Sequence, residues 1–138
     1  YTDEAGKPRP VIMGSYGIGP GRVMGTIVEH LADSKGLVWP PQIAPFKVYL
    51  APLSDDKTVL EAADKAYKLL TDSGIGVLYD DRSARPGEMF ADADLIGLPY
   101  RVVVSEKTLQ KGSLEIKLRT ASQVQLVPLH SLAKALQD

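Results

Sequence analysis

The chain has 138 residues, a net charge of −1 and no cysteine, which leaves room for one ordinary domain plus an appendage and rules out disulfides and thiolate metal sites. Apolar residues make up 44% and charged residues 24%, so a buried core is expected and wholesale disorder is not. The balanced charge carries no general electrostatic footprint for nucleic acid, and any RNA contact has to be local and geometric. No apolar run approaches the roughly 20 residues that a membrane span needs. The two histidines, His30 and His130, are a hundred residues apart, which argues against a metal site. The sequence starts at Tyr1, inside polar loop, and reads as a piece of a longer protein; the lack of cysteine fits a cytosolic setting.

In chain order, a short apolar strand is expected at Val11–Met13, followed by the glycine-rich stretch GSYGIGPGR, Gly14 to Arg22. A helix follows, with Val23, Ile27 and Leu31 on one face and Gly36 ending the segment. The run WPPQIAP, Trp39 to Pro45, places three prolines in seven residues, the pattern of a stiff extended linker between domains. Residues 1–38, 39–46 and 47–138 are thus read as a terminal piece of one domain, a linker and a second domain.

The second domain opens with a strand at Lys47–Leu53. The following helix turns Val59, Ala63, Ala66, Tyr67 and Leu70 to one face, with Thr58 and Glu61 at capping-box spacing and Gly74 as its stop. A second strand, IGVLYDD, precedes a helix that has Pro86 in its first turn and Gly97 past its end. A third strand, YRVVVS, is followed by a loop, KTLQKG. SLEIKLR then alternates, with Leu114, Ile116 and Leu118 inward and Glu115, Lys117 and Arg119 outward, as a half-exposed antiparallel strand does. A short strand, VQLVP, and a closing helix carrying Leu129, Leu132, Ala133 and Leu136 complete the pattern. The fold class is α/β: a mixed sheet of four or five strands with flanking helices, its strand–helix–strand units crossing into parallel pairs.

The glycine stretch poses a choice. Backbone amides in such a turn can face phosphate oxygens because no side chain blocks the approach, and Arg22 adds a bidentate phosphate partner. A plain strand-to-helix turn is the competing reading. GIGPGR matches neither the dinucleotide fingerprint nor the P-loop.

Gly17, Gly19, Gly21 and Arg22, leading into an apolar helix, resemble motif 3 of class II aminoacyl-tRNA synthetases. The resemblance implies that these residues bind ATP, with the arginine on the phosphates. The wider MGSYGIGPGR is similar to the version in bacterial prolyl-tRNA synthetases, although many members carry Cys where Ser15 stands and Pro20-Gly21 varies. More specific is DDRSARPGEMFADADLIGLP, Asp80 to Pro99. Its Arg82, Arg85-Pro86-Gly87, Phe90-Ala91-Asp92, Leu95-Ile96-Gly97 and Pro99 resemble the anticodon-binding domain of the prolyl-tRNA synthetase family, and WPPQIAPF resembles that family's interdomain link.

The resemblance covers essentially the whole chain. It implies a parent enzyme that joins proline to its tRNA, with ATP going to AMP and pyrophosphate in the presence of Mg²⁺, as a homodimer. This piece, holding one of three catalytic motifs, is expected to be inactive alone and to work with the rest of the catalytic domain. The implied RNA partner is the anticodon loop of proline tRNA, whose two adjacent guanines offer donors to a carboxylate and acceptors to Arg or Lys. By resemblance Phe90 stacks on a base, Asp94 takes a guanine edge, and Arg101 and Lys107 contact guanine or phosphate. Arg82 and Arg85, past the carboxyl end of a parallel strand, are placed against the RNA backbone.

Three of these residues have a plainer reading. Phe90 can be core, Asp94 a solvated helix charge, and Arg82 the ion-pair partner of Asp80 or Asp81. Two other assignments stay open at this point: the related domain of a threonyl, histidyl or glycyl enzyme, and a non-catalytic RNA-binding or interaction module.

Overall fold

The computed structural model describes residues 1–136. Strand β1, Val48–Pro52, is buried along its whole length because it lies between two parallel neighbours, β2 (Val77–Tyr79) and β3 (Tyr100–Val104). β4, Leu114–Leu118, runs antiparallel to β3, and β5, Gln125–Val127, antiparallel to β4. The sheet order is β2-β1-β3-β4-β5, the mixed five-stranded α/β sheet that the alternation of periods implied.

Helix α1 covers Pro20–Leu31, α2 Lys57–Asp72 and α3 Pro86–Ile96. α2 buries Val59, Ala63, Ala66 and Leu70 against Val48, Leu50, Val102, Val104, Leu114 and Ile116 on one sheet face. Leu132 on the last helix, α5 (Leu132–Ala135), and Leu136 beyond it seal the same core. On the opposite face Met89 and Ala93 of α3 meet Tyr49, Ala51 and Leu98. Tyr67, expected on the buried face of α2, is 39% exposed and instead leans its ring on Tyr79, centroids 5.6 Å apart. Pro86 stands at the first turn of α3 and Gly97 caps it with φ +73°, both as the sequence suggested.

Several expectations are corrected. Val11, Ile12 and Met13 form no strand and are 68%, 97% and 86% exposed; no described strand runs beside them to take up their amides and carbonyls. α1 ends at Leu31, well before Gly36. What Gly36 serves is a close approach, since a Cβ there would lie 2.4 Å from the Leu95 Cα. The linker is not extended throughout: the amides of Ile43 and Ala44 turn back onto the Pro40 carbonyl at 3.1 and 3.0 Å.

α2 starts at Asp56 rather than at a Thr58–Glu61 box. The Asp56 carboxylate accepts from the Thr58 amide at 2.8 Å, and an anion at the helix N-terminus also meets the macrodipole. The stretch read as a loop holds a one-turn helix, α4 (Glu106–Leu109), closed by reciprocal Ser105–Thr108 capping. Arg119 does not point outward; only 8% of it is exposed, because β4 stops at Leu118 and the next amide bonds to the Pro99 carbonyl at 2.8 Å.

Candidate functional site

Successive side chains of a strand alternate between faces, so Arg101, the second residue of β3, points to the α3 side while Val102 enters the opposite core. On α3, Phe90 and Asp94 are one helical turn apart and share a face. The fold brings these three together. The Arg101 guanidinium carbon lies 4.1 Å from the centroid of the Phe90 ring, and one terminal nitrogen is 3.7 Å from an Asp94 carboxylate oxygen.

The arrangement is incomplete in a way that suits a ligand. The Arg101 side chain is only 13% exposed, and its buried Nε has no hydrogen-bond partner among the described residues. Its contact with Asp94 is longer than a hydrogen bond, and among the described residues no donor satisfies that carboxylate. Phe90 is half-buried, so part of the ring surface remains available. A guanidinium over a phenyl ring, with a loosely paired carboxylate beside it, can hold a planar base: the π-faces attract it, and a carboxylate accepts from paired N–H donors.

The sequence reading missed two neighbours of this cluster. Lys117 on β4 is the register partner of Arg101, and Glu115 that of Val103, so both lie on the same sheet face. Both are half-buried, whereas Leu114 and Ile116 on the opposite face are buried, and Leu126 of β5 is 45% exposed. That half of the sheet is open. The alternation of SLEIKLR showed that Glu115 and Lys117 point away from the core; which residue they stand beside depends on pairing that the local pattern does not encode.

Other assigned residues lie elsewhere. Lys107 is exposed on α4, past the far end of β3 from Arg101, with roughly 10 Å of strand between them. Arg85 is exposed at the start of α3, where its carbonyl accepts from the Glu88 and Met89 amides at 2.9 and 3.1 Å. Arg82 is engaged within the protein. Its Nε and one terminal nitrogen grip Asp80 at 2.8 Å each, and the same terminal nitrogen reaches Asp92 at 2.7 Å. Asp80 also accepts from the Tyr49 hydroxyl. The Arg82 guanidinium, ahead of the Tyr49 bond, holds the Asp80 carboxyl down at about 2 against the opposing effect of burial, and burial together with Asp80 pushes the Tyr49 phenol well above its usual range. The network ties the β2–α3 loop to α3, and the Arg82 side chain stays 52% exposed while it does so.

In the glycine stretch, a Cβ at Gly17 or Gly21 would meet nothing within 4 Å, and the first turn of α1 has no side-chain cap. Gly17, Gly19, Arg22, Val23 and Thr26 line an open hollow of about 660 Å³. The amides of a helix N-terminus with an arginine beside them fit an anionic ligand. Among the described residues no group of three or more His, Asp or Glu side chains could hold a metal ion, and no helix is long and apolar enough to cross a membrane.

Comparison with known proteins bears on both regions. The family model for an anticodon binding domain matches residues 47–138. Over its whole length the chain is 46% identical to proteins named proline–tRNA ligase from Burkholderia multivorans and Paraburkholderia phymatum, and 44% identical to the one from Burkholderia cenocepacia. Each alignment takes in 100% of this chain and 24% of the relative, so the chain spans about a quarter of the length of the curated relatives it matches.

Proposed function

Since the chain belongs to the anticodon binding domain family, we propose that its second region, 47–138, reads the anticodon loop of proline tRNA through Phe90, Asp94 and Arg101. Residues 1–38 then belong to the catalytic domain of a longer enzyme that joins proline to that tRNA, and 39–46 link the two. The observation that carries this reading is the Arg101 guanidinium over the Phe90 ring, with its Nε lacking a hydrogen-bond partner among the described residues and Asp94 held only by a 3.7 Å ion pair. Single-stranded loops are read by such platforms and by hydrogen bonds to base edges. Lys117 and Glu115 extend the same face, Lys107 and Arg85 are assigned to the RNA backbone, and so is Arg82, which is 52% exposed and also fixes its own loop.

In the longer enzyme, Gly17, Gly19, Gly21 and Arg22 would take the ATP phosphates, and Mg²⁺ would arrive with the nucleotide and ligands outside this chain. A homodimer acting in the cytoplasm completes the proposal; this part rests on family resemblance. The 138-residue chain alone is expected to show no aminoacylation.

The test is a titration of the chain, at one stated salt concentration, with two anticodon stem-loops. One carries the proline anticodon; the other has both guanines replaced by cytosine. At least tenfold tighter binding of the first, about 1.4 kcal/mol, is expected. Equal binding would leave only backbone attraction and remove the base-reading roles. Phe90→Ala should weaken binding of the guanine loop by about 1–3 kcal/mol and move the urea midpoint little. A stability loss of about 3–5 kcal/mol, the cost of deleting a core Phe, would assign Phe90 to the core instead.

A further inference from the structure

Arg119 belongs neither to the sheet core nor to the candidate site, yet its side chain is 5% exposed. Two terminal nitrogens hold the Asp33 carboxylate at 2.9 and 2.7 Å, and Nε donates to the Asp94 backbone carbonyl at 3.0 Å. One side chain therefore joins the segment that follows α1 to the residue whose carboxylate lies in the candidate site.

The contacts around it have the same direction. The Leu37 amide donates to the Leu95 carbonyl, and the Trp39 amide to the Gly97 carbonyl, each at 3.0 Å. The last carbonyls of a helix have no partner within it. Those of Asp94, Leu95 and Gly97 all receive theirs from Arg119 or from residues 37 and 39. Gly36 and Gly97 permit the backbones to come this close, since a Cβ at either would collide with the opposing chain. The turn that aims Asp94 is thus finished by the segment leading from the glycine loop.

We propose that Arg119 and Asp33 form a latch through which seating of residues 33–39 and engagement of a ligand at Phe90, Asp94 and Arg101 strengthen each other. This inference rests on the anticodon reading for the identity of the ligand, but not for the coupling itself. Unseating the segment strips the Leu95 carbonyl of α3 and the carbonyl of its Gly97 cap of their partners and leaves the Arg119 guanidinium without its carboxylate, so the Asp94 turn relaxes. A ligand that needs Asp94 in place then favours the seated state, and by linkage the seated state favours the ligand by the same factor. Arg119 is a positioning residue here, acting through Asp94.

Asp33→Asn, which removes the charge while keeping the shape, tests this in the whole chain. Trp39 is the only tryptophan, so its fluorescence reports seating directly. Hydrogen exchange at the Leu37 and Trp39 amides should quicken at least tenfold in the variant. The Phe90 ring protons and Arg101 Nε–H should shift in NMR spectra without RNA, and the preference for the guanine stem-loop over the cytosine one should fall at least threefold. In the unmodified chain, the guanine loop should slow exchange at both amides. Freed amides with unmoved Phe90 and Arg101 signals would overturn the latch and leave a local staple. If neither stem-loop binds the unmodified chain, the anticodon reading falls, while the ring shifts still decide the coupling. Should Asp33→Asn fail to fold, Asp33→Glu keeps the charge on a longer arm, and the same signals should move by a smaller amount; no movement would overturn the latch.

Discussion

Asp80→Ala should lower the unfolding free energy by about 3 kcal/mol, read as a fall in the urea midpoint at unchanged slope. Asp80 is 6% exposed and accepts from Arg82 and from Tyr49, itself 2% exposed. Removing the carboxylate leaves a buried phenol hydroxyl without an acceptor, at a cost of about 1–3 kcal/mol, and deletes charge-assisted hydrogen bonds as well. Arg82 moderates the loss, because its side chain is 52% exposed and retains Asp92. Adding Tyr49→Phe to Asp80→Ala should restore part of the stability, since no hydroxyl is then stranded; such neighbours do not add independently.

The same carboxylate gives a pH dependence with a definite sign. Asp80 titrates at about 2 in the folded chain, below the ordinary 3.8. A depressed carboxyl pKa contributes stability that is full above the unfolded value and is lost as pH falls toward the folded one. About 2 kcal/mol should therefore disappear between about pH 4 and pH 2, and the Asp80→Ala protein should lack that share of the acid slope. Parallel acid curves for the two proteins would refute the assignment.

Gly97→Ala should cost about 3 kcal/mol, and the loss should be localised. A residue with a Cβ pays about 1–2 kcal/mol at the φ of +73° found here. The added carbon would also lie 1.8 Å from the Leu37 carbonyl oxygen and 2.2 Å from its carbon, so residues 37–39 must move away. Two hydrogen bonds go with them, each worth about 1 kcal/mol. Gly74→Ala is the control: φ is +76°, but nothing lies within 4 Å of the added carbon, so only the conformational cost applies. The Gly97 variant should lose more and also redden Trp39 fluorescence. Equal losses, with Trp39 unchanged, would show that the close approach carries no weight.

These two glycines illustrate what the sequence could disclose. Both were legible as helix stops, because a left-handed residue after an amphipathic run leaves a local signature. The demand for space at Gly97 was not legible, since it comes from Leu37, which is distant in sequence. The site divides similarly. Four-residue spacing puts Phe90 and Asp94 on one helix face, but their roles, and that of Arg101, came from the family resemblance. Lys117 became a neighbour only once β3 and β4 were in register, and Asp92 became a second partner of Arg82, beside Asp80, only once α3 was packed against the loop. Arg119 read as an outward residue because strict alternation was extended one position past the end of its strand. The cap at Asp56 and the turn at Ser105–Thr108 are hydrogen-bonding devices, to which hydrophobic periodicity is blind.

The sheet order also has a kinetic side. The middle of the sheet is a parallel pair joining residues 48–52 to 100–104, and β2 is attached to that pair at one side. Roughly fifty residues of chain must close before the pair forms, and loop entropy is spent before the contacts return it. Adjacent hairpins cannot assemble this sheet by zipping outward, because only β3–β4 and β4–β5 are antiparallel neighbours in sequence. Folding is therefore expected to show one slow concerted phase, with substitutions in β1 and β3 acting on its rate and substitutions in β5 acting mainly on unfolding.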